Sequence, residues 1–556
     1  MKKRIKILLI IPVLLLLAAV VTYVLNVRMS SPLAEGQEKD YIRVQEIGEN
    51  HFGTSDGSWL RKNDKGVWEL YVHGEPYARG LAFGALAQRL LAEKESSFIS
   101  EIENRVPSSS YLNFLKYVVG WFHRDLDEYV PDEYLKEIYG SSQYMADSFD
   151  YISPKYHRGL SYHAAHDIGH ALQNMNLVGC TSFVVKGDKS ENGKLLIGRN
   201  FDFYFGEEFA KDRMVAFYNP DQGYQFMSVT WACFSGVVSG INEKGLTVTL
   251  NSAKSAIPSK GKTPVSIIAR QILQYASTID EAYAIAKSYD SFVAETFLIG
   301  SKKDRRAALI EKTPEVTVLY EEDDSEMIVT NHFQSDELKN DPLNQDYLQE
   351  GVSDYRYERV HQLIDSLEPL TPTRAVHLLR DKKGLDGEDI GLANEKAVNQ
   401  LIAHHSVIFS PEEMIVWVSA PPYQLGEYVA YDLNEIFKTS EGDFFTYTDS
   451  LSIAADPFLD SQGYRRYTSF VNIKDRIQKY LAKGEGTKLQ EKEIDGFIKS
   501  NPKGFLTYYY LGDYFKSIGS WQEAEKYYNI ALDLEIAKQS ERKHIEEGLK
   551  ECMQHL

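Results

Sequence analysis

Cys180 follows Gly179 in the segment LVGCTSFVV and heads a β-type run. A thiol titrates near 8.5, and its thiolate is a strong nucleophile. A cysteine in such a run is therefore either a small buried side chain or a reactive sulfur. Nineteen residues later GRNFDF places Arg199, Asn200 and Asp202 at the end of the next apolar run. If the two runs pair as antiparallel strands, the start of one lies beside the end of the other, and Cys180, Arg199 and Asp202 converge. Farther along, GINEKGLTVTLNS ends in Asn251-Ser252, MIVTNHF puts Asn331 at a strand end, and SDYRYERV supplies Arg356 and Arg359.

The elements that must position these residues follow from hydropathy periodicity. Residues 67–72 read as a strand, and GEPYARGLAFGALAQRLLAEKE, from Gly74 to Glu95, as a turn and an amphipathic helix. Residues 96–175 look mostly helical. Short β-type runs follow: CTSFVVKG, KLLIGRNFDF, RMVAFYNP, QFMSVTWACF and VVSGINEKGLTVTLN. A helical stretch is expected over 264–288, strands at 294–300, 306–311, 315–320 and 327–330, and helices at 354–366 and 373–380. VIFSPEEMIVWVSA (407–420) reads as two strands joined by a turn, and 465–556 as mainly helical. Strands clustered mid-chain between helical segments predict an α+β architecture.

Composition narrows the classes. The chain has 556 residues, 43% apolar and 25% charged, which is globular rather than disordered. Lys+Arg 61 against Asp+Glu 80 gives −19, which argues against a general nucleic-acid binder. Cys180, Cys233 and Cys552 are the only cysteines, too few for a disulfide framework, and no CxxC suggests a zinc site. At the N-terminus Lys2, Lys3, Arg4 and Lys6 precede an uncharged run from Ile7 to Leu25. Its length favours an uncleaved membrane anchor over a cleaved signal peptide, with everything after Arg28 exported to the cell envelope. Residues 29–45 read as a short linker.

The order of the motifs resembles that of the cysteine N-terminal-nucleophile hydrolases. It is most similar to the acyl-CoA:6-aminopenicillanic acid acyltransferase-like branch, peptidase family C45, with choloylglycine hydrolases and acid ceramidases as cousins. Gly-Cys-Thr, Gly-Arg-Asn-x-Asp, Asn-Glu-Lys-Gly, Thr-Asn-His-Phe and Ser-x-x-Arg-x-x-Arg carry the resemblance, between about Gly74 and Asp432. It implies a four-layer αββα sandwich and cleavage of the Gly179–Cys180 bond by the chain itself. Cys180 would become an N-terminal nucleophile, its own α-amine serving as base. It further implies that Asn251 and Asn331 help form an oxyanion hole, that Asp202 orients the new amine, and that Arg199 and Arg356 hold the polar network, with Arg359 as the alternative to Arg356. Arg199 is the residue expected in the choloylglycine hydrolase cousins, which favours hydrolysis over acyl transfer. The expected reaction is on a linear non-peptide amide of a small molecule, with no cofactor and no metal.

The expected organisation is an anchor or signal segment (1–28), a helix-rich pro-segment (29–179) that stays bound after cleavage, a catalytic core (180–440) and a helical C-terminal extension (441–556). Within the extension, residues 506–535 resemble one tetratricopeptide hairpin, which packs on the core or binds a protein partner. Other features have plainer readings. His163, His166 and His170 share a helical face but lack an HExxH pattern, so a polar face is expected rather than a metal site. His332, His404 and His405 permit a conventional Cys–His protease. Cys233 is expected in the core and Cys552 in the last helix. EEDDSE (321–326) reads as a turn between strands. An inactive exported scaffold is the remaining alternative.

Overall fold

A computed structural model describes residues 17–556 apart from 19, 28, 38–40, 107, 166, 168–177, 204–205, 257, 259, 323, 439–446 and 485–487. Most of the apolar run Ile7–Leu25 therefore lies outside the described residues, as do His166 and His170. Among the described residues no helix is long and apolar enough to cross a membrane.

The strands are β1 (Val44–Gly48), β2 (His51–Thr54), β3 (Trp59–Lys62), β4 (Trp68–Gly74), β5 (Val178–Gly187), β6 (Gly193–Phe203), β7 (Met214–Pro220), β8 (Phe226–Thr230), β9 (Ser239–Asn242), β10 (Leu246–Ser252), β11 (Glu295–Ser301), β12 (Arg306–Lys312), β13 (Thr317–Tyr320), β14 (Glu326–Val329), β15 (His405–Ser410), β16 (Ile415–Ser419) and β17 (Tyr428–Asp432). They form two sheets. One runs β1-β2-β3-β4-β7-β8-β9-β10-β11-β12-β13 and the other β14-β5-β6-β15-β16-β17.

The period-2 alternation of strand side chains separates the layers. Val184, Ile197, Val407 and Val416 of the six-stranded sheet meet Val215, Phe217, Leu298 and Leu309 of the larger sheet in one buried cluster. Their neighbours Phe183, Val185, Leu196 and Ile408 point the other way, onto Val360, Ile364, Val376 and Leu379 of helices Ser353–Leu367 and Pro372–Leu379. Ala216, Tyr218, Val248 and Ile299 cover the far face of the larger sheet with helices Val265–Tyr275 and Ile279–Ser288. Helix, sheet, sheet and helix thus stack as an αββα sandwich.

The segment before Cys180 is part of this sandwich. It is helical, but it also supplies β1 to β4. Strand β4 pairs in parallel with β7 of the core, from Trp68 opposite Met214 to Gly74 opposite Pro220. The glycines of GEPYARGLAFG have a packing reason. In the long helix Pro76–Arg105, a Cβ at Gly80 would sit 2.0 Å from the Glu137 carbonyl oxygen, and one at Gly84 2.7 Å from that of Ser141. Helix Asp132–Ser142 packs that closely against it. Buried Glu137 joins Arg79 at 2.6 Å and Arg270 of the core at 3.2 Å. Burial opposes its charge, but Arg270 and Arg79 hold its carboxyl below the usual range.

Two expectations change. QFMSVTWACF leaves the sheet at Thr230, because Cys233 adopts a left-handed φ of 58° and the Phe234 N–H turns back to the Trp231 carbonyl. The stretch 264–288 is two helices, interrupted before Thr278, whose side chain caps the second. EEDDSE falls between strands, as expected, and leads from β13 of one sheet to β14 of the other.

At the C-terminal end, helices Phe505–Ser517 and Trp521–Leu532 form a tight hairpin. A Cβ at Gly512 would meet the Tyr528 ring at 2.4 Å. Its apolar face shares one cluster with Leu401, Tyr423 and Leu425 of the core.

Candidate active site

Strands β5 and β6 are antiparallel neighbours, with Cys180 opposite Phe201, Gly179 opposite Asp202 and Ser182 opposite Arg199. This register brings Cys180, Arg199 and Asp202 together. Cys180 is fully buried. Arg199 Nη2 donates to Cys180 Sγ at 3.5 Å. The remaining Arg199 contacts, to the Val238 and Leu250 carbonyls and to Ser239 Oγ, fix the guanidinium in place. Burial pushes the thiol up to about 11, against the pull of Arg199. The sulfur of the uncleaved chain is therefore a neutral thiol at physiological pH.

Asn331 lies just beyond the end of β14. Its Oδ1 accepts the Cys180 backbone N–H at 3.0 Å, and its Nδ2 donates to the Ser252 carbonyl and hydroxyl at 3.0 and 2.9 Å. Arg356, from the helix Ser353–Leu367, donates to the Cys180 carbonyl at 2.6 Å, to Thr181 Oγ1 at 2.7 Å and to Asn331 Oδ1 at 2.7 Å. Arg359 is one turn away and pairs with Asp381 at 2.9 Å. Arg356 is thus the arginine at the site. Asp202 lies across from Gly179. Gln400 donates to its Oδ2 at 3.3 Å, and its Oδ1 has no hydrogen-bond partner among the described residues. Burial pushes the Asp202 carboxyl up to about 7, although Arg356 and Arg199 oppose the shift.

Asn251 behaves differently. Its Nδ2 donates to the Val329 and Thr330 carbonyls at 3.1 Å, and its Oδ1 accepts from Ser182. It clips the two sheets together beside the site, with its amide donors already engaged. Asn200 of the GRNFDF motif faces away and binds the Leu379 and Val398 carbonyls.

One group escaped the sequence reading. Gln400 sits in a loop with no motif around it. His405 touches Ser239 Oγ through Nε2 at 2.8 Å and His404 through Nδ1 at 3.0 Å. Arg199 only donates, so Ser239 Oγ accepts from it and passes its own hydrogen to His405 Nε2. Both histidines are buried, and burial holds them neutral. His332 bonds Ser353 and Thr330, and burial lowers it to about 4. Among the described residues the side-chain hydrogen bond to Cys180 Sγ comes from Arg199, while His332 and His405 are engaged with Ser353, Thr330, Ser239 and His404.

Cys233 is half-buried, packs against the main core cluster as expected, and also lines a cavity. Glu326, His361 and Asp365 cluster closely enough to hold an ion, but Lys189 Nζ already contacts Glu326 at 2.8 Å and Asp365 at 2.9 Å.

Residues 189–421 match the family described as acyl-coenzyme A:6-aminopenicillanic acid acyl-transferase. The match includes Arg199, Asp202, Asn251, Asn331 and Arg356 and begins after Cys180. An uncharacterized protein of Archaeoglobus fulgidus is 25% identical over 264 residues, covering 43% of this chain and 42% of the relative. The alignment thus spans less than half of that protein's length. Among solved structures, the Caenorhabditis elegans N-acylethanolamine-hydrolyzing acid amidase ortholog has a TM-score of 0.30 at 18% identity, covering 42% of this chain and 93% of the other. A mutant of the conjugated bile acid hydrolase from Clostridium perfringens has a TM-score of 0.32 at 13% identity, covering 48% of this chain and 95% of the other.

Proposed function

We propose that this chain, which carries a domain of the acyl-coenzyme A:6-aminopenicillanic acid acyl-transferase family, is a self-processing cysteine amidohydrolase acting on linear non-peptide amides. The supporting observation is the environment of the Gly179–Cys180 peptide. Asn331 holds its nitrogen, Arg199 its neighbouring sulfur, and Asp202 lies opposite Gly179 in the strand register.

In the processing step Cys180 Sγ adds to the Gly179 carbonyl carbon. The C–N bond breaks, the Cys180 nitrogen leaves as an amine, and a thioester remains. Sulfur loses one proton and nitrogen gains one. Asp202, with its carboxyl near neutrality, is the group suited to relay it. Water then hydrolyses the thioester to a Gly179 carboxylate and a free thiol. The new α-amine titrates at about 7.7–8.0, close enough to a thiol for nearly balanced proton transfer. The thiolate attacks the substrate carbonyl, the amine product departs with a proton, and water releases the acyl group. An N-acyl amide, a bile-acid conjugate and a ceramide-like lipid all present this bond.

The test is intact-mass and N-terminal analysis of the purified chain. A second polypeptide beginning at Cys180, absent in Cys180→Ala, supports the reading. A chain that stays whole in both sinks it.

Export with membrane anchoring belongs to the same proposal. Its support is the run Ile7–Leu25 with its basic flank, together with helix Ser109–Phe122, which buries none of its residues and exposes Tyr111, Phe114, Tyr117 and Trp121. Tyr23, two residues before the end of that run, meets Tyr117 edge-on at 5.6 Å. Deleting residues 1–28 should move the protein from the membrane to the soluble fraction. An unchanged distribution counts against anchoring.

A further inference from the structure

A cavity of about 60 Å³ lies between the pro-segment and the core. Leu91 and Phe98 of helix Pro76–Arg105 form one wall, and Phe203, Phe209, Trp231 and Phe234 another. It adjoins the nucleophile's neighbourhood. Phe203 is stacked at 5.4 Å on Phe201, the residue paired with Cys180 across the strands.

One lining group does not suit an apolar chamber. Glu95 is 2% exposed. Its Oε1 accepts from Arg158 Nε and from the Tyr162 hydroxyl, each at 2.8 Å, while its Oε2 has no hydrogen-bond partner among the described residues. Arg158 is shared with Asp150 at 2.6 Å, so the three groups carry one uncompensated negative charge when ionised. A buried carboxylate oxygen left without a hydrogen bond is costly unless a donor reaches it. The other charged side chain on the wall, Lys94, cannot supply one, because its Nζ is spent on the Glu208, Phe209 and Lys211 carbonyls.

We propose that this chamber is the acyl subsite, and that it selects a short apolar chain ending in a hydrogen-bond donor, a hydroxyl or an amino group, received by Glu95 Oε2. The volume corresponds to about four to six water-sized positions, enough for four or five chain atoms. The inference rests on the amidase reading, with the carbonyl carbon held at Cys180. The pro-segment then does more than pack on the core: it carries the residue that chooses the substrate.

The experiment compares aminocoumarin amides of hexanoic, 6-hydroxyhexanoic, 6-aminohexanoic and 6-oxoheptanoic acids on the processed enzyme. Wild type should prefer the hydroxy or the amino chain over hexanoyl by about tenfold in kcat/KM. Glu95→Gln keeps an oxygen toward Arg158 and turns an amide donor into the chamber. It should lose that preference and favour the ketone. Equal rates for all four amides in both proteins overturn the proposal, as does an unchanged preference in Glu95→Gln. A second measurement separates this from the amidase reading. Cys180→Ala protein is titrated with 1-butanol, 1-butylamine and 1-chlorobutane, followed by ligand-observed saturation-transfer NMR. Tighter binding of the alcohol or the amine, lost in Glu95→Gln and in Leu91→Trp, supports the chamber even if no amide is hydrolysed. Binding without preference, or preference that survives Leu91→Trp, removes it.

Discussion

Asn331 Oδ1 sits 3.0 Å from the backbone nitrogen of Cys180, across 151 residues of chain. The same oxygen takes a second hydrogen bond from Arg356 at 2.7 Å. A carbonyl oxygen has two lone pairs, so this acceptor is fully used. The nitrogen it holds is the one that must become an amine. Asn331→Ala leaves the Cys180 N–H and one Arg356 donor unmatched in a buried site. Self-cleavage should slow by on the order of 10²-fold or more, with a stability loss of about 1–3 kcal/mol. A time course of fragment release and a denaturant titration measure the two effects. Cleavage at the wild-type rate would remove Asn331 from the site.

If the chain cleaves itself as proposed, Asp202 should make that step pH-dependent. Burial raises its carboxyl from 3.8 to about 7, so the folded chain holds that proton more tightly than the unfolded chain does. The stabilisation is complete below about pH 4 and is lost as pH climbs through 7, amounting to roughly 4 kcal/mol at most. Asp202→Asn has no proton to lose there. The stability gap between the unprocessed Cys180→Ala protein and its Asp202→Asn derivative should therefore shift in favour of the asparagine form between pH 4 and 8. Self-cleavage of wild type should fall above pH 7 as the proton carrier is ionised. Parallel pH profiles of the two proteins would disprove the role.

The sheets and the Cys180–Arg199–Asp202 cluster were legible because they rest on local patterns. Alternating apolar residues in CTSFVVKG and KLLIGRNFDF dictate a pair of antiparallel strands, and pairing alone brings the three residues together. Asn331 and Arg356 came from motif order, since their contacts span 151 and 176 residues and leave no local trace. Asn251 was placed by the same order, and the amide donors of both asparagines are engaged, those of Asn251 by the carbonyls of residues 329 and 330 and those of Asn331 by Ser252. Strands β1 to β3 were missed because VQEIG, HFGT and WLRK are too short and too mixed to show a period. At Cys233 a left-handed φ of 58° keeps the backbone out of the strand that its apolar neighbours suggest, while the side chain still packs against the core.

The pro-segment should stay with the core after cleavage. Strand β4 contributes a seven-residue parallel pairing to β7, and Glu137 bridges Arg79 of the pro-segment to Arg270 of the core with all three side chains buried. Separation would expose the face of Pro76–Arg105 and orphan a charged network. The two fragments should co-elute in native size exclusion and part only under denaturing conditions. Glu137→Gln weakens both ion pairs at once and should lower the melting temperature more than any exposed pair in the chain. Fragments that separate in native buffer would refute retention.

Gln400 links the C-terminal extension to Asp202. The loop that carries Gln400 is fastened at several points to the tail. Tyr467 Oη donates to the Leu401 carbonyl at 2.9 Å, Asn501 binds the Leu392 backbone, Lys396 meets Glu535, and Lys538 meets Glu395 at 2.6 Å. Gln400 in turn is the donor that reaches Asp202 Oδ2 at 3.3 Å. A donor to a carboxylate favours its ionised form, so removing it raises the pKa further. Gln400→Leu should therefore move the alkaline limit of self-cleavage to higher pH without touching Cys180. Tyr467→Phe, which loosens the loop by one hydrogen bond worth about 1 kcal/mol, should move it the same way by less. Trp521→Ala, at the far end of the hairpin against His555, should leave the pH profile unchanged while lowering stability. Measured together, these three separate a tail that positions the site from one that merely covers apolar surface. If all three variants kept the wild-type pH limit, the extension would have no hold on the chemistry.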